Sequence, residues 1–317
     1  MAKVYIPQGI AREGVDYLLE QGYELKFGDN PTEETFMKEV ADCDAVLLRT
    51  AKCPEKVLAA GKQLKIVARH GVGYDNVDVA AAARLGIWVT NTPNALADSV
   101  AEYALGAMLM AAKNIRECSR EMHLGNYGYK NTHKGMDLFG KTLGIIGFGR
   151  IGRAVAKKAH FGLDMKILAY SRSLKQDAVP DYVTVCPMEQ LLERADVVSL
   201  HVPGGEGNQN LVGEPELARM KSHAILVNAS RGGVVNEEAL DKALREGKLS
   251  RAVMDVQSQE PPAQDYLLFT NERCILTPHM ASNTEECMAR MALHAAWQIH
   301  KVLSGDKPDW PVNDPEK

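Results

Sequence analysis

The apolar positions of the chain fall into short blocks separated by segments of helical period. In the N-terminal third the blocks are residues 3–7, 23–28, 45–49, 64–69 and 87–91. Between them, stretches such as 31–41 and 54–60 carry acids early and apolar residues at helical spacing. A parallel strand pair needs a long crossover, which a helix supplies, so this alternation predicts a parallel sheet covered on both faces. Five strands predict a small flavodoxin-like unit.

The stretch 99–113, SVAEYALGAMLMAAK, is apolar on every face and predicts a buried helix, with Ser99 and Glu102 in capping-box spacing. Residues 114–140 are polar and irregular, which predicts a connection or a partner-contacting arm. The alternation restarts at Lys141, with strands predicted at 142–147, 165–171, 183–186, 196–202, 224–229, 251–256 and 274–278. A last helix, 283–304, has Asn283 and Glu286 as its start signal and Gly305 as its stop. Met288, Met291, Ala292, Ala295, Ile299 and Val302 share one of its faces, which predicts packing back onto the first sheet. The expected organisation is therefore two doubly wound parallel-sheet domains of α/β class. One comprises 1–99 plus 284–317, and the other 100–283 with the arm at 114–140.

A length of 317 residues accommodates two such domains at about 150 residues each. With 37 basic and 41 acidic residues the net charge is −4, which gives no reason to expect a nucleic-acid or anionic-membrane partner. No stretch has the roughly 18 uninterrupted apolar residues of a membrane span. The start, MAKVYIP, lacks the pattern of a secretion signal. Six dispersed cysteines without a CxxC pair read as reduced thiols, so neither a disulfide frame nor a metal is implied. These features predict a cytoplasmic globular protein.

The sequence TLGIIGFGRIGRAVAKKA holds Gly147, Gly149 and Gly152 in G-x-G-x-x-G spacing, after an apolar strand and at the start of an Ala-rich helix. Gly147 permits the tight turn, Gly149 the approach of a pyrophosphate, and Gly152 close helix–strand packing. The N–H groups near Arg150 and Ile151 would face the phosphates. An NAD-preferring loop presents Asp or Glu about 20 residues further on. Here the strand ends at Ser171, followed by Arg172, Ser173 and Lys175. A hydroxyl and cations accept a 2′-phosphate that a carboxylate repels, which favours NADP(H) while leaving NAD(H) open.

Three further segments place reactive side chains at strand ends. AILVNASRGGVV puts Arg231 at the carboxyl edge of a sheet, where its fork suits a carboxylate beside a carbonyl. AVMDVQSQEPP holds Asp255 inside an apolar strand, where it either accepts from a nicotinamide carboxamide or caps a loop, and Glu260 just beyond. CILTPHMASNTEE supplies His279, a residue type suited to exchanging a proton near neutral pH.

Together with HGVGYDNVD at 70–78 and NTPNALADSVAE at 91–102, these segments resemble the D-2-hydroxyacid dehydrogenase family over nearly the whole chain. The resemblance implies a homodimer whose two Rossmann-like domains enclose a cleft. It implies Arg231, Glu260 and His279 as the catalytic set and Asp255 as the carboxamide partner. It places the substrate carboxylate on the amides of Gly71, Val72 and Gly73. Val100, His201, Pro203, Asn208 and Ala229 complete the expected cofactor contacts. Tyr127 stands where many relatives have Trp, and Pro203, Gly204 and Gly205 replace a common proline-leucine-threonine stretch. Arg49, with Lys52 nearby, matches cations that bind a substrate phosphate in phosphoglycerate dehydrogenases, so D-3-phosphoglycerate oxidation is the alternative to reduction of hydroxypyruvate, glyoxylate or a phenylpyruvate-like acid. Formate dehydrogenase is disfavoured by Glu260, because that reaction wants an amide beside the His. The rival from another class is a nucleotide-sensing binding protein, like the corepressors that resemble this family.

Overall fold

Each of the twelve apolar blocks forms a strand in the computed structural model, which describes residues 1–315. Residues 316 and 317 of the expected C-terminal segment lie outside the described residues. The chain divides into two units, one joining Met1–Leu96 to the segment from Ser282 onward and the other being Ala97–Ala281.

The first unit contains β1 (Lys3–Ile6), β2 (Glu24–Phe27), β3 (Ala45–Leu48), β4 (Ile66–Arg69) and β5 (Trp88–Thr90). All pairs are parallel and the order is β2-β1-β3-β4-β5, the flavodoxin-like arrangement. β3 is buried at every position because helices cover both faces, which is why it reads as a continuous apolar run. The last helix, Glu285–Leu303, lies on β3, β4 and the helix Arg12–Glu20. Gly14 permits this approach: a Cβ there would stand 2.8 Å from that of Ala292. The helix is capped by Thr284, whose hydroxyl accepts from Cys287 N at 3.2 Å, and not by Asn283 as expected. Capping one residue later still places two acids, Glu285 and Glu286, in the first turn.

The second unit contains β6 (Thr142–Ile146), β7 (Lys166–Tyr170), β8 (Val183–Val185), β9 (Val197–Leu200), β10 (Ile225–Asn228), β11 (Arg251–Met254) and β12 (Cys274–Leu276). This sheet is also wholly parallel, in the order β12-β11-β10-β9-β6-β7-β8. The order reverses between β6 and β9, the topological switch point where such sheets bind ligands. The helix Ala97–Ala112 begins two residues before Ser99, so Ser99 is an interior, buried residue and the expected capping box with Glu102 does not form. Its buried face is mostly alanine, which lets it lie close to β10, β11 and the helix Arg150–Leu163.

The segment expected to be irregular contains a helix, Ile115–His123. Tertiary contacts hold it: Arg116 donates to the carbonyls of Cys274 and Glu272, and the buried Glu117 lies 3.2 Å from Arg251 Nη1. None of these is visible as sequence periodicity. Among the described residues, no helix is long and apolar enough to cross a membrane.

Candidate active site

The glycine loop lies at the switch point of the second sheet. A Cβ at Gly147, where φ is +94°, would sit 2.4 Å from His201 O, and one at Gly152 would sit 2.2 Å from Gly147 O. Both glycines are therefore required by the protein's own packing. A Cβ at Gly149 would meet nothing within 4 Å, so that glycine keeps open the space before the helix Arg150–Leu163. Among the described residues, the N–H groups of Arg150 and Ile151 have no acceptor in the chain, as expected for the first turn of a helix. An open cradle facing a helix N-terminus fits a dinucleotide's pyrophosphate.

β7 ends beside this loop. Ser171 and Ser173 follow in a turn closed by Leu174 N to Ser171 O at 3.1 Å. No carboxylate occupies the strand end. Arg172 Nη2 donates to Gly207 O at 2.6 Å and to Asn208 Oδ1, while Asn208 Nδ2 donates to Pro203 O at 2.9 Å. Arg172 is thus tied to the loop after β9. Ala229 is half-buried after β10, and Val100 is buried within its helix. His201 Nε2 lies 2.9 Å from Ser199 Oγ, and burial drives its pKa down to about 4. It is therefore neutral near pH 7 and does not exchange protons there.

The three reactive residues of the second unit come together. His279 Nδ1 lies 2.7 Å from Glu260 Oε2, and Glu260 Oε1 accepts from Gln257 N at 3.1 Å. Burial raises the Glu260 pKa, but the hydrogen bond and charge of His279 outweigh it. With Arg231 contributing in the same sense, the net result lies below the ordinary value. Arg231 follows β10, and its carbonyl accepts from Asn228 Nδ2 at 2.9 Å. Gly232 lets this loop press on the next: a Cβ there would stand 1.9 Å from Gln257 C. Asn228, wholly buried at the end of β10, escaped the sequence reading although a polar residue in an apolar strand is the same signal that marked Asp255.

Asp255 lies one residue beyond β11. It is completely buried. Oδ1 accepts from Thr277 Oγ1 at 2.6 Å and Met280 N at 2.9 Å, and Oδ2 accepts from Ala281 N at 2.9 Å. Its backbone carbonyl accepts from His279 N at 2.7 Å. These bonds cap the loop that carries His279. That loop needs support, because His279 adopts φ +51°, a left-handed conformation uncommon outside glycine.

In the first unit, the turn after β4 carries Gly71, Val72 and Gly73. Gly71 adopts φ +143° and its N–H is taken up within the turn. Among the described residues, the Val72 and Gly73 N–H groups have no acceptor in the chain. His70, just before them, is buried, and burial followed by the charge of Arg69 lowers its pKa to about 4. It too is neutral near pH 7. Arg49 follows β3 and donates to Gly9 O at 3.1 Å. It lines an open cavity of about 650 Å³ with Gly9, Ile10, Glu13, Glu285 and Met288. Two carboxylates thus share the cavity with one guanidinium.

Comparison with known proteins agrees with this architecture. A sequence profile described as "D-isomer specific 2-hydroxyacid dehydrogenase, NAD binding domain" matches residues 105–281. A glyoxylate reductase of Korarchaeum cryptofilum is 39% identical, with 98% of this chain and 96% of that protein aligned. A D-3-phosphoglycerate dehydrogenase of Methanocaldococcus jannaschii is 38% identical over 99% of this chain, which spans only 60% of that protein. Among solved structures, a glyoxylate reductase from Paecilomyes thermophila superimposes with TM-score 0.89 at 28% identity, covering 98% of both chains. The chain belongs to the D-isomer specific 2-hydroxyacid dehydrogenase family, whose members are oxidoreductases.

Proposed function

We propose that the protein reduces a small unphosphorylated 2-oxo acid, hydroxypyruvate or glyoxylate, to the 2-hydroxy acid, with NADPH preferred over NADH. The observation that carries the reaction type is the 2.7 Å bond between His279 and Glu260, in a cluster where Glu260 also feels the charge of Arg231. The Gly147–Gly152 loop, with the Arg150 and Ile151 N–H groups, would hold a nicotinamide cofactor, which when bound would supply the hydride. Arg231 binds the substrate carboxylate and polarises the C2 carbonyl through its fork. The Val72 and Gly73 amides serve the same carboxylate. His279, protonated, donates a proton to the carbonyl oxygen and, in the reverse reaction, takes it back. Glu260 accepts from Nδ1–H, which fixes the orientation of the ring.

Two observations support the finer choices. The end of β7 offers Ser171 and Arg172 where an NAD site offers a carboxylate, which favours a 2′-phosphate. In the cavity beside Arg49, Glu13 and Glu285 oppose a phosphate dianion, which disfavours 3-phosphoglycerate. The deciding experiment is a steady-state panel of glyoxylate, hydroxypyruvate, phenylpyruvate and 3-phosphohydroxypyruvate with each cofactor. Reduction of the first two with NADPH at least about tenfold better than with NADH is the expected result. NADH preference overturns the cofactor choice, and activity confined to the phosphorylated acid overturns the substrate choice. Tight cofactor binding without turnover of any acid points to a nucleotide sensor instead.

The arm carries the reading of a homodimer. Ile115, Met122, Leu124, Tyr127 and Phe139 are 51–75% exposed, a concentration of large apolar side chains in one segment. The Tyr127 ring carries Lys130, whose Nζ lies 3.8 Å from the ring centroid. Light scattering is expected to return twice the 34.7 kDa chain mass, and a monomer mass rejects the assignment.

A further inference from the structure

The turn after β4 aims two backbone N–H groups outward, and the structure shows what aims them. Gly71 and Thr92 bond reciprocally: Gly71 N donates to Thr92 Oγ1 at 3.0 Å, and Thr92 N donates to Gly71 O at 2.9 Å. One residue further on, Asn91 Nδ2 donates to Val72 O at 2.9 Å. In a trans peptide the C=O of one residue and the N–H of the next point in opposite directions. Holding the Gly71 carbonyl toward Thr92 therefore turns the Val72 N–H away from the 91–92 segment. Holding the Val72 carbonyl toward Asn91 turns the Gly73 N–H away likewise. Two consecutive outward N–H groups form a concavity of the kind that binds anions.

Asn91 is itself anchored. Its backbone N–H donates to Trp310 O at 3.3 Å. Gln298, fully buried in the last helix, accepts through Oε1 from Asp309 N at 2.7 Å and Trp310 N at 3.3 Å. Val312 N donates to Val89 O at 2.8 Å, and the Asn313 side chain accepts from Val89 N and donates to Ile87 O. The C-terminal segment is thus laid along β5 up to the residue whose amide grips the turn.

We infer that Asn91 is a positioning residue for the substrate carboxylate, acting through the Val72–Gly73 peptide. This inference rests on the reading that those amides bind the carboxylate. Thr92 fixes the first peptide through its backbone N–H, and Asn91 fixes the second through its side chain. Asn91→Ala removes that grip, while the backbone bond to Trp310 remains.

The test uses the full-length enzyme, with glyoxylate as kinetic substrate and oxamate, a 2-oxo acid isostere, as bound probe. In wild type saturated with reduced cofactor, oxamate is expected to shift the ¹⁵N–¹H resonances of Val72 and Gly73. In Asn91→Ala the Gly73 response shrinks and the KM for glyoxylate rises about tenfold, with kcat and cofactor Kd within about twofold, because a ground-state carboxylate contact is lost. Asn91→Asp, nearly isosteric but without the N–H donor, gives the same split and serves if the alanine variant does not fold. A wild type whose two amides ignore oxamate overturns the carboxylate reading itself. Amides that respond in wild type, joined to an unchanged KM in both variants or to a fall in kcat alone, overturn the role of Asn91.

Discussion

Replacing His279 with alanine is expected to lower kcat for 2-oxo acid reduction about a thousandfold, within the range for loss of a positioned general acid. Cofactor affinity, followed by fluorescence titration, stays within about twofold, because the glycine loop and the end of β7 are untouched. The size of the effect follows from how much structure is committed to one imidazole. Nδ1 is bound to Glu260, which leaves Nε2 as the ring nitrogen available to substrate. The side chain is 48% exposed, unlike His70 and His201, which burial holds neutral. Three donors on the buried Asp255 side chain and the His279 N–H on its carbonyl hold the left-handed turn. An uncommon backbone conformation held by this many bonds supports the role proposed for His279. Near-normal reduction by the variant would remove His279 from the proton transfer.

What was legible in the sequence follows from where the information is local. The central strands β3, β9 and β10 are buried on both faces, so their apolar runs stand out. The glycine motif was legible because each glycine answers a separate steric demand, two inside the protein and one at Gly149 in open space. Strand order was not legible from periodicity, which records that a residue is buried and not against what. The helix Ile115–His123 was missed for the same reason: its anchors, Cys274, Glu272 and Arg251, lie more than a hundred residues away. At the candidate site, residue type pointed to Arg231, Glu260 and His279, because few side chains perform the chemistry proposed for them, and the structure brings the three together. It did not reveal Asn91, Thr92 and Asn228, whose contribution is to orient a peptide. Asp255 shows the boundary between these cases. Its presence inside an apolar strand demanded partners, and the structure shows loop N–H groups among them.

Arg231→Lys is expected to lower kcat/KM for the 2-oxo acid by about a hundredfold or more, although the positive charge is kept. The reason is geometric. A planar guanidinium can address a carboxylate oxygen and the adjacent carbonyl oxygen together, whereas an ammonium is a single point of charge on a flexible stem. The loop is built to hold that plane. Arg231 Nη1 donates to Ser230 O at 2.7 Å, its own carbonyl is held by the buried Asn228, and Gly232 packs without clearance against Gln257 and Ser258. Both KM and kcat are expected to change, because one contact serves binding and the other serves the charge that develops on oxygen as hydride arrives. Arg231→Ala then falls further in kcat/KM than Arg231→Lys, and the difference reflects what the charged ammonium still supplies. A lysine variant within about threefold of wild type would show that charge suffices and that the guanidinium plane does no orienting.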